Sequence, residues 1–99
     1  MSTASTVYNS IIFGTENEIL GDATSVILVG KGLQVSKPLQ CILGRFNKPI
    51  NNSKSLLTIG CGTGITDRKN ALEVYTDGDV RIPNPGTNTN SVMTRKNYD

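Results

Sequence analysis

The sequence predicts an all-β fold in which short strands stack as parallel coils and are followed by a β-hairpin. A short apolar run that closes on a glycine occurs four times in the first two thirds of the chain. The segments between these runs are rich in Gly, Ser, Thr and Asn, which favour turns and short strands. An Asp-Gly pair then separates two alternating runs further on, and this is a strong hairpin signal.

The length and composition favour one small domain that completes its core with partners. The chain has 99 residues, of which 36% are apolar and 5% aromatic. A chain of this size buries only a modest core by itself. No amphipathic helical stretch of convincing length is present.

The charge pattern argues against nucleic-acid binding and membrane insertion. The net charge is +2, and the basic residues are scattered rather than gathered on one face. No apolar run approaches the roughly 20 residues that a membrane span requires. The first six residues are polar and uncharged, unlike a signal peptide.

Cys41 and Cys61 are the two cysteines of the chain, and there is no histidine. Two cysteines without further ligands do not make a zinc site. We therefore expect two free thiols that act as small apolar side chains, although a disulfide between them stays open. No metal, cofactor or catalytic residue is assigned.

The repeat aligns on glycines that lie 16, 14 and 16 residues apart, at Gly14, Gly30, Gly44 and Gly60. Each glycine precedes a polar turn, and an Asn or Gly follows two or three places later, where a positive φ is expected. Weaker second strands follow at 18–20 and 33–35, so each coil is predicted as strand, turn, strand, turn. The aligned glycines are predicted to end strands at corners, where a side chain would clash with the next coil or strain the backbone.

The two faces of these strands are predicted to have different roles. The positions one and three before each glycine are apolar in all four repeats, so we expect them to face the core of the coil. The intervening position points the other way and holds Ile12, Leu28, Ile42 and Thr58. Three large aliphatic residues on an outward face predict that a neighbouring chain covers them. A plain β-sandwich of short strands is the alternative.

The last third is predicted to begin with a polar loop at 66–70 and to continue as two strands around the turn at Gly78. A calcium loop built on Asp77 and Asp79 is disfavoured, because the further oxygen ligands and the closing carboxylate are lacking. The prolines at 83 and 85 end the strand. The predicted organisation is a flexible segment or short strand at 1–8, repeats at 9–65, loop and hairpin at 66–83, and at 84–99 a linker or tail that leads to a further section.

Residues 57–64, followed by 67–80, resemble a module of bacteriophage tail fibres and tail spikes that reads Ile-Gly-Asn-Gly-Thr, Arg-x-Asn-Ala and Asp-Gly-Asn-Val. Residues 92–99 are similar to an element that often precedes the next fibre section. The glycine coils resemble the left-handed parallel β-roll of trimeric autotransporter heads and phage fibres. Two departures are Cys61, where the module usually has Asn, and the unequal coil lengths, which favour a phage fibre over a bacterial adhesin.

The resemblance implies a left-handed parallel β-roll, packed or intertwined as a homotrimer, with a structural or adhesive role in the virion. Ile12, Leu28 and Ile42 are then the predicted trimer interface. Neighbouring fibre or baseplate proteins are the expected further partners, and a host cell-surface receptor or polysaccharide is a candidate one. A shaft or neck position is favoured over a receptor-binding tip, because exposed aromatic candidates are few.

Three other functions compete with this one. A trimeric autotransporter adhesin head is the alternative within the same architecture. A left-handed β-helix acyltransferase is disfavoured because its repeat is six residues long and its base is a histidine, which this chain lacks. A polysaccharide-degrading tail spike would need paired carboxylates, for which the chain offers Asp67, Glu73, Asp77 and Asp79. Acids so close together in sequence are more typical of solvated turns.

Overall fold

The computed structural model describes residues 6–83, with the backbone alone at 6–8 and at 22–23. This part of the chain contains ten strands and no helix. The strands are β1 (Thr6–Tyr8), β2 (Ile11–Thr15), β3 (Glu18–Ile19), β4 (Asp22–Thr24), β5 (Ile27–Lys31), β6 (Gln34–Val35), β7 (Cys41–Arg45), β8 (Ser55–Cys61), β9 (Asn70–Tyr75) and β10 (Val80–Arg81). The linker or tail predicted at 84–99 lies outside the described residues.

The first eight strands form a β-solenoid of about three turns, which confirms the predicted fold class. Parallel pairing joins β1 to β4, β3 to β6, and β2, β5, β7 and β8 into a longer ladder. The four glycines stand opposite one another along that ladder, so the predicted register is confirmed. The first two coils have three strands each rather than the two predicted. The extra strands, β1 and β4, are short and carry no apolar run that would reveal them.

The core lies inside the coils, and its composition overturns the predicted assignment of the two strand faces. Leu28 is 0% exposed and Ile42 is 1% exposed, while Ile12 packs against the same cluster. These three residues were predicted to form the trimer interface, but they face the interior of their own chain. Other core residues come from the corners and the second strands: Ile19, Val26, Leu33 and Val35.

The reason for the reversal is the alternation of side chains along β5. Val26 and Leu28 share one side of the chain here and belong to one core cluster with Val35 of β6. The alternate residues Ile27 and Val29 point away and are 39% and 36% exposed. Both sets are apolar, so hydrophobicity alone did not distinguish the inside from the outside.

The corner after β5 has its positive φ at Gly32, as expected, whereas the corners after β2 and β7 have it one residue earlier than the expected asparagine. Glu16 (φ 59°), Gly32 (φ 65°) and Phe46 (φ 40°) occupy equivalent corners of successive coils. Asn17 and Asn47, each the following residue, are buried instead and hydrogen-bond to the coil between them. Asn47 accepts from the backbone N–H of residue 34 at 2.8 Å and donates to its carbonyl oxygen at 3.0 Å. The asparagines therefore connect coils rather than supply the unusual backbone conformation.

The chain reverses direction after β8 and finishes the sheet with antiparallel strands. β9 pairs with β8, and β10 pairs with β9, so the ladder becomes a sheet of six strands in the order β10-β9-β8-β7-β5-β2. The hairpin predicted at Asp77-Gly78 is confirmed, with Gly78 at φ 87°. The pairing of β9 with the last coil was not predicted. It covers the last edge of the ladder with strands that belong to no coil.

Candidate assembly face

The six-stranded sheet carries two rows of apolar side chains on the side that faces away from the coil interior. We call these two rows the outer face. Strand pairing places one row across Ile11, Ile27, Cys41, Leu57, Val74 and Val80. It places the second row across Phe13, Val29, Leu43, Ile59 and Leu72. Every position in both rows is therefore apolar.

The opposite side of the same sheet changes character along its length. We call this set the inner column; in strand order it is Ile12, Leu28, Ile42, Thr58, Glu73 and Arg81. It is apolar where the coil encloses it and polar or charged at and beyond the last coil. The outer face shows no such change and stays apolar through β9 and β10.

The outer face is most open near β2 and near β10. Phe13 is 72% exposed, Ile11 59% and Val80 57%, whereas the members on β5 are less exposed and those on β7, β8 and β9 are half-buried. Six strands spaced about 4.8 Å apart extend the face over roughly 24 Å. Two rows about 7 Å apart then present roughly 300–400 Å² of apolar surface, comparable with the largest patch of an ordinary monomer and often functional.

Four of the five predicted turn glycines, those of the repeats, form a column beside the outer face. At Gly44 the φ is 100°, and an added Cβ would meet the carbonyl oxygen of Gly60 in the next coil. The same contact relates Gly14 to Gly30 and Gly30 to Gly44. A side chain at Gly14, Gly30 or Gly44 would therefore face both an unfavourable φ and the backbone of the following coil.

The two cysteines lie on separate strands, and neither is bonded to the other. Cys41 belongs to the outer face on β7, while Cys61 ends β8 opposite Arg45. Both thiols are free, and each side chain is half-buried. Burial raises the pKa of the Cys41 thiol above its usual value. The neutral thiol of Cys41 is thus the favoured form on an apolar face.

The carboxylates proposed for a polysaccharide-degrading site make local hydrogen bonds. The Thr63 hydroxyl donates to Asp67 and lowers the pKa of that carboxyl. Glu73 accepts from the Asn70 amide and the Tyr75 hydroxyl, at 2.8 and 3.0 Å. In the hairpin, Asp79 accepts from the Arg81 guanidinium at 2.7 Å, and Asp77 accepts from the backbone N–H of residue 79 at 3.0 Å. Each of these acids supports a turn or a strand end.

A polar cleft of about 410 Å³ opens where the last coil meets β9. Its lining residues are Lys48, Pro49, Ile50, Arg68, Lys69, Asn70, Glu73 and Pro83. The Asn70 amide donates to the carbonyl oxygen of Lys48 at 2.8 Å, and the Arg68 guanidinium donates to the carbonyl oxygen of Gly32 at 2.7 Å. The side chains of Asn70 and Arg68 in this cleft thus donate hydrogen bonds to the chain's own backbone.

Within residues 6–83, no helix is long and apolar enough to cross a membrane, and no three His, Cys, Asp or Glu side chains gather as metal ligands. No protein-family model, curated protein or solved structure matches this chain. The outer face is therefore identified from the geometry of the chain alone.

Proposed function

We propose that the chain is a non-enzymatic structural segment of a homotrimeric fibre, assembled through the outer face. The fibre is a bacteriophage tail fibre or a related receptor-binding appendage of the virion, and this segment belongs to its shaft or neck. The sequence resemblance of 57–64 and 67–80 supports the phage assignment. The outer face supports the self-association.

The observation that carries the proposal is the continuity of the outer face. A sheet with one solvated face normally alternates apolar and polar side chains, whereas a sheet that is covered on both faces is apolar on both. Residues such as Val74 and Val80 lie on strands outside the coils, so the coil core does not account for their apolarity. Contact with another molecule on this face would account for it.

Copies of this chain suit the geometry of the face. The two rows run across the strands and hence along the axis on which the coils stack. Chains placed side by side with parallel axes would bury the rows over their whole length of roughly 24 Å. The face is about half of the roughly 800 Å² per partner that a stable interface buries, so flanking surfaces are expected to contribute. The number of chains in the assembly, three, is taken from the sequence resemblance to phage fibres and not from the geometry of the face.

Light scattering over a range of protein concentrations tests the proposal. We expect a species of three times the 10.6 kDa chain mass, with dissociation on dilution. Val29→Asp places a charge in the outer face and should shift the mass to that of a folded monomer. Ile65→Asp is the matched control, because Ile65 is 72% exposed but lies outside the sheet. A folded monomer at all concentrations, or equal effects of the two variants, would contradict the proposal.

The virion location has its own test. Mass spectrometry of purified phage particles should detect this polypeptide in the tail fraction. Its recovery only from uninfected bacterial cell surfaces would instead favour the autotransporter adhesin alternative. The assembly test above would remain valid in either case.

A further inference from the structure

The end of the solenoid formed by the first coil differs from the end formed by β9 and β10. Strands β1, β2 and β3 are the terminal strands of their three sheets, all on the same side. Among residues 6–83, no strand pairs with the outer edge of any of them. The first coil thus presents a complete cross-section of the solenoid as an open end.

The backbone of β2 is oriented to extend the ladder. The N–H of Ile11 donates to the carbonyl oxygen of Val26 at 2.9 Å, and the carbonyl oxygen of Thr15 accepts from Gly32 at 2.9 Å. The odd-numbered residues of β2 therefore bond toward β5. Because backbone groups alternate in direction along a parallel strand, Ile12 and Gly14 direct their N–H and C=O groups toward the open edge.

The glycine column defines what can lie on that edge. A Cβ at Gly14 would meet the carbonyl oxygen of Gly30, and the same relation holds for each later pair in the column. By continuation of the register, a strand placed over β2 needs a glycine over Gly14. It also needs an apolar residue over Ile12, because the equivalent residues of β5 and β7, Leu28 and Ile42, lie in the core.

We propose that the first coil is a docking surface for a strand of the same repeat, supplied by another polypeptide of the assembly and parallel to β2. The partner carries apolar, any, glycine at the positions that cover Ile12, Phe13 and Gly14. The parallel ladder of β2, β5, β7 and β8 continues into that strand in the same register.

An intact second copy of this chain does not fit as the occupant. At its other end, the described part of the copy offers only the outer edges of β4, β6 and β10, and none of these strands carries the glycine that the register needs. Two open ends placed face to face would run their β2 strands antiparallel and lose the glycine register. The inference also stands apart from the trimer, since the open edge is perpendicular to the outer face.

The probe is a synthetic peptide with the sequence of residues 25–36, which contains Gly30 and the following corner. The readout is amide hydrogen exchange by NMR on the full isotope-labelled chain. We expect the amides of Ile12 and Gly14 to exchange faster than that of Phe13 in the free chain. Added peptide should slow them at least about tenfold.

Two matched peptides test the register. A peptide with G30V should give no protection, because its side chain would meet the backbone of Gly14. An N-methyl group at position 29 should weaken binding at least about tenfold, since that amide faces β2, whereas an N-methyl group at position 28 faces away and should have little effect.

Three results would overturn the inference. The first is equal protection of Ile12, Gly14 and Phe13 in the free chain, which would mean that the edge is already covered. The second is equal binding of the glycine and valine peptides. The third is an absence of protection at millimolar peptide in a chain whose other ladder amides are protected.

Discussion

The two sides of the six-stranded sheet differ in how their composition follows the fold. The inner column is aliphatic on β2, β5 and β7, and then changes to Thr58, Glu73 and Arg81 where the coil no longer encloses it. The outer face remains apolar across the same transition. The inner side is thus explained by the packing of this chain, and the outer side is the one that the proposed association would cover.

Adjacent residues on one strand give the largest test of this contrast. Leu28 is fully buried, so Leu28→Asp introduces an uncompensated charge and should unfold the chain, at a cost of several kcal/mol. Val29→Asp, one residue away, should leave the fold intact and remove the association. Circular dichroism reports folding, and light scattering reports mass. If Leu28→Asp stayed folded, the assignment of inside and outside would be wrong.

The two strand faces are reversed relative to the prediction because the apolar pattern does not show which face points inward. In each of the first three repeats the three residues before the glycine are apolar or nearly so, which is compatible with either orientation. The signal that distinguishes them lies just after the glycine. Lys31 and Arg45 follow Val29 and Leu43 by two places, so alternation puts these charged residues on the same side as the outer face, which is therefore outward.

The register was more predictable than the faces, because glycine has a steric role that few other residues can fill. The four aligned glycines and the Asp-Gly hairpin were located from the sequence for this reason. The positive φ of Glu16 and Phe46 was not predicted from the sequence, since neither residue type favours that conformation. There the stacking of neighbouring coils overrides local preference, as it does where β9 returns to pair with β8.

The glycine column gives the second prediction. Gly44→Val should lower the free energy of unfolding by roughly 1–3 kcal/mol from backbone strain alone, in addition to the contact with Gly60. Gly64→Val is the matched control, because an added Cβ at Gly64 meets no atom within 4 Å. Chemical denaturation of both variants at one protein concentration measures the difference. Equal stabilities would show that the column is not required for stacking.

The buried asparagines give the third prediction. Asn47→Ala removes the two hydrogen bonds that join the third coil to residue 34 and leaves those backbone groups without side-chain partners. We expect a loss of about 1–2 kcal/mol, whereas Asn51→Ala, at an exposed position, should stay within about 0.5 kcal/mol. A loss no greater than that of the control would mean that water replaces the amide without cost.

The smallest expected effect concerns the thiol at the centre of the outer face. Burial raises the pKa of Cys41, so the folded chain favours the neutral thiol. The contribution of this pKa shift to stability is complete below the usual pKa of 9.0 and is lost as the pH rises through the higher folded value.

In a Cys61→Ser background, alkylation of Cys41 at a fixed pH below 9.0 should be slower in the folded chain than in denaturant. The rate should fall further as protein concentration increases, because association covers the outer face and restricts access to the sulfur. Val29→Asp removes the association and should abolish the concentration dependence while preserving slow alkylation in the folded monomer. A rate independent of concentration in the parent chain would place Cys41 outside the contact and exclude the centre of the outer face from the interface.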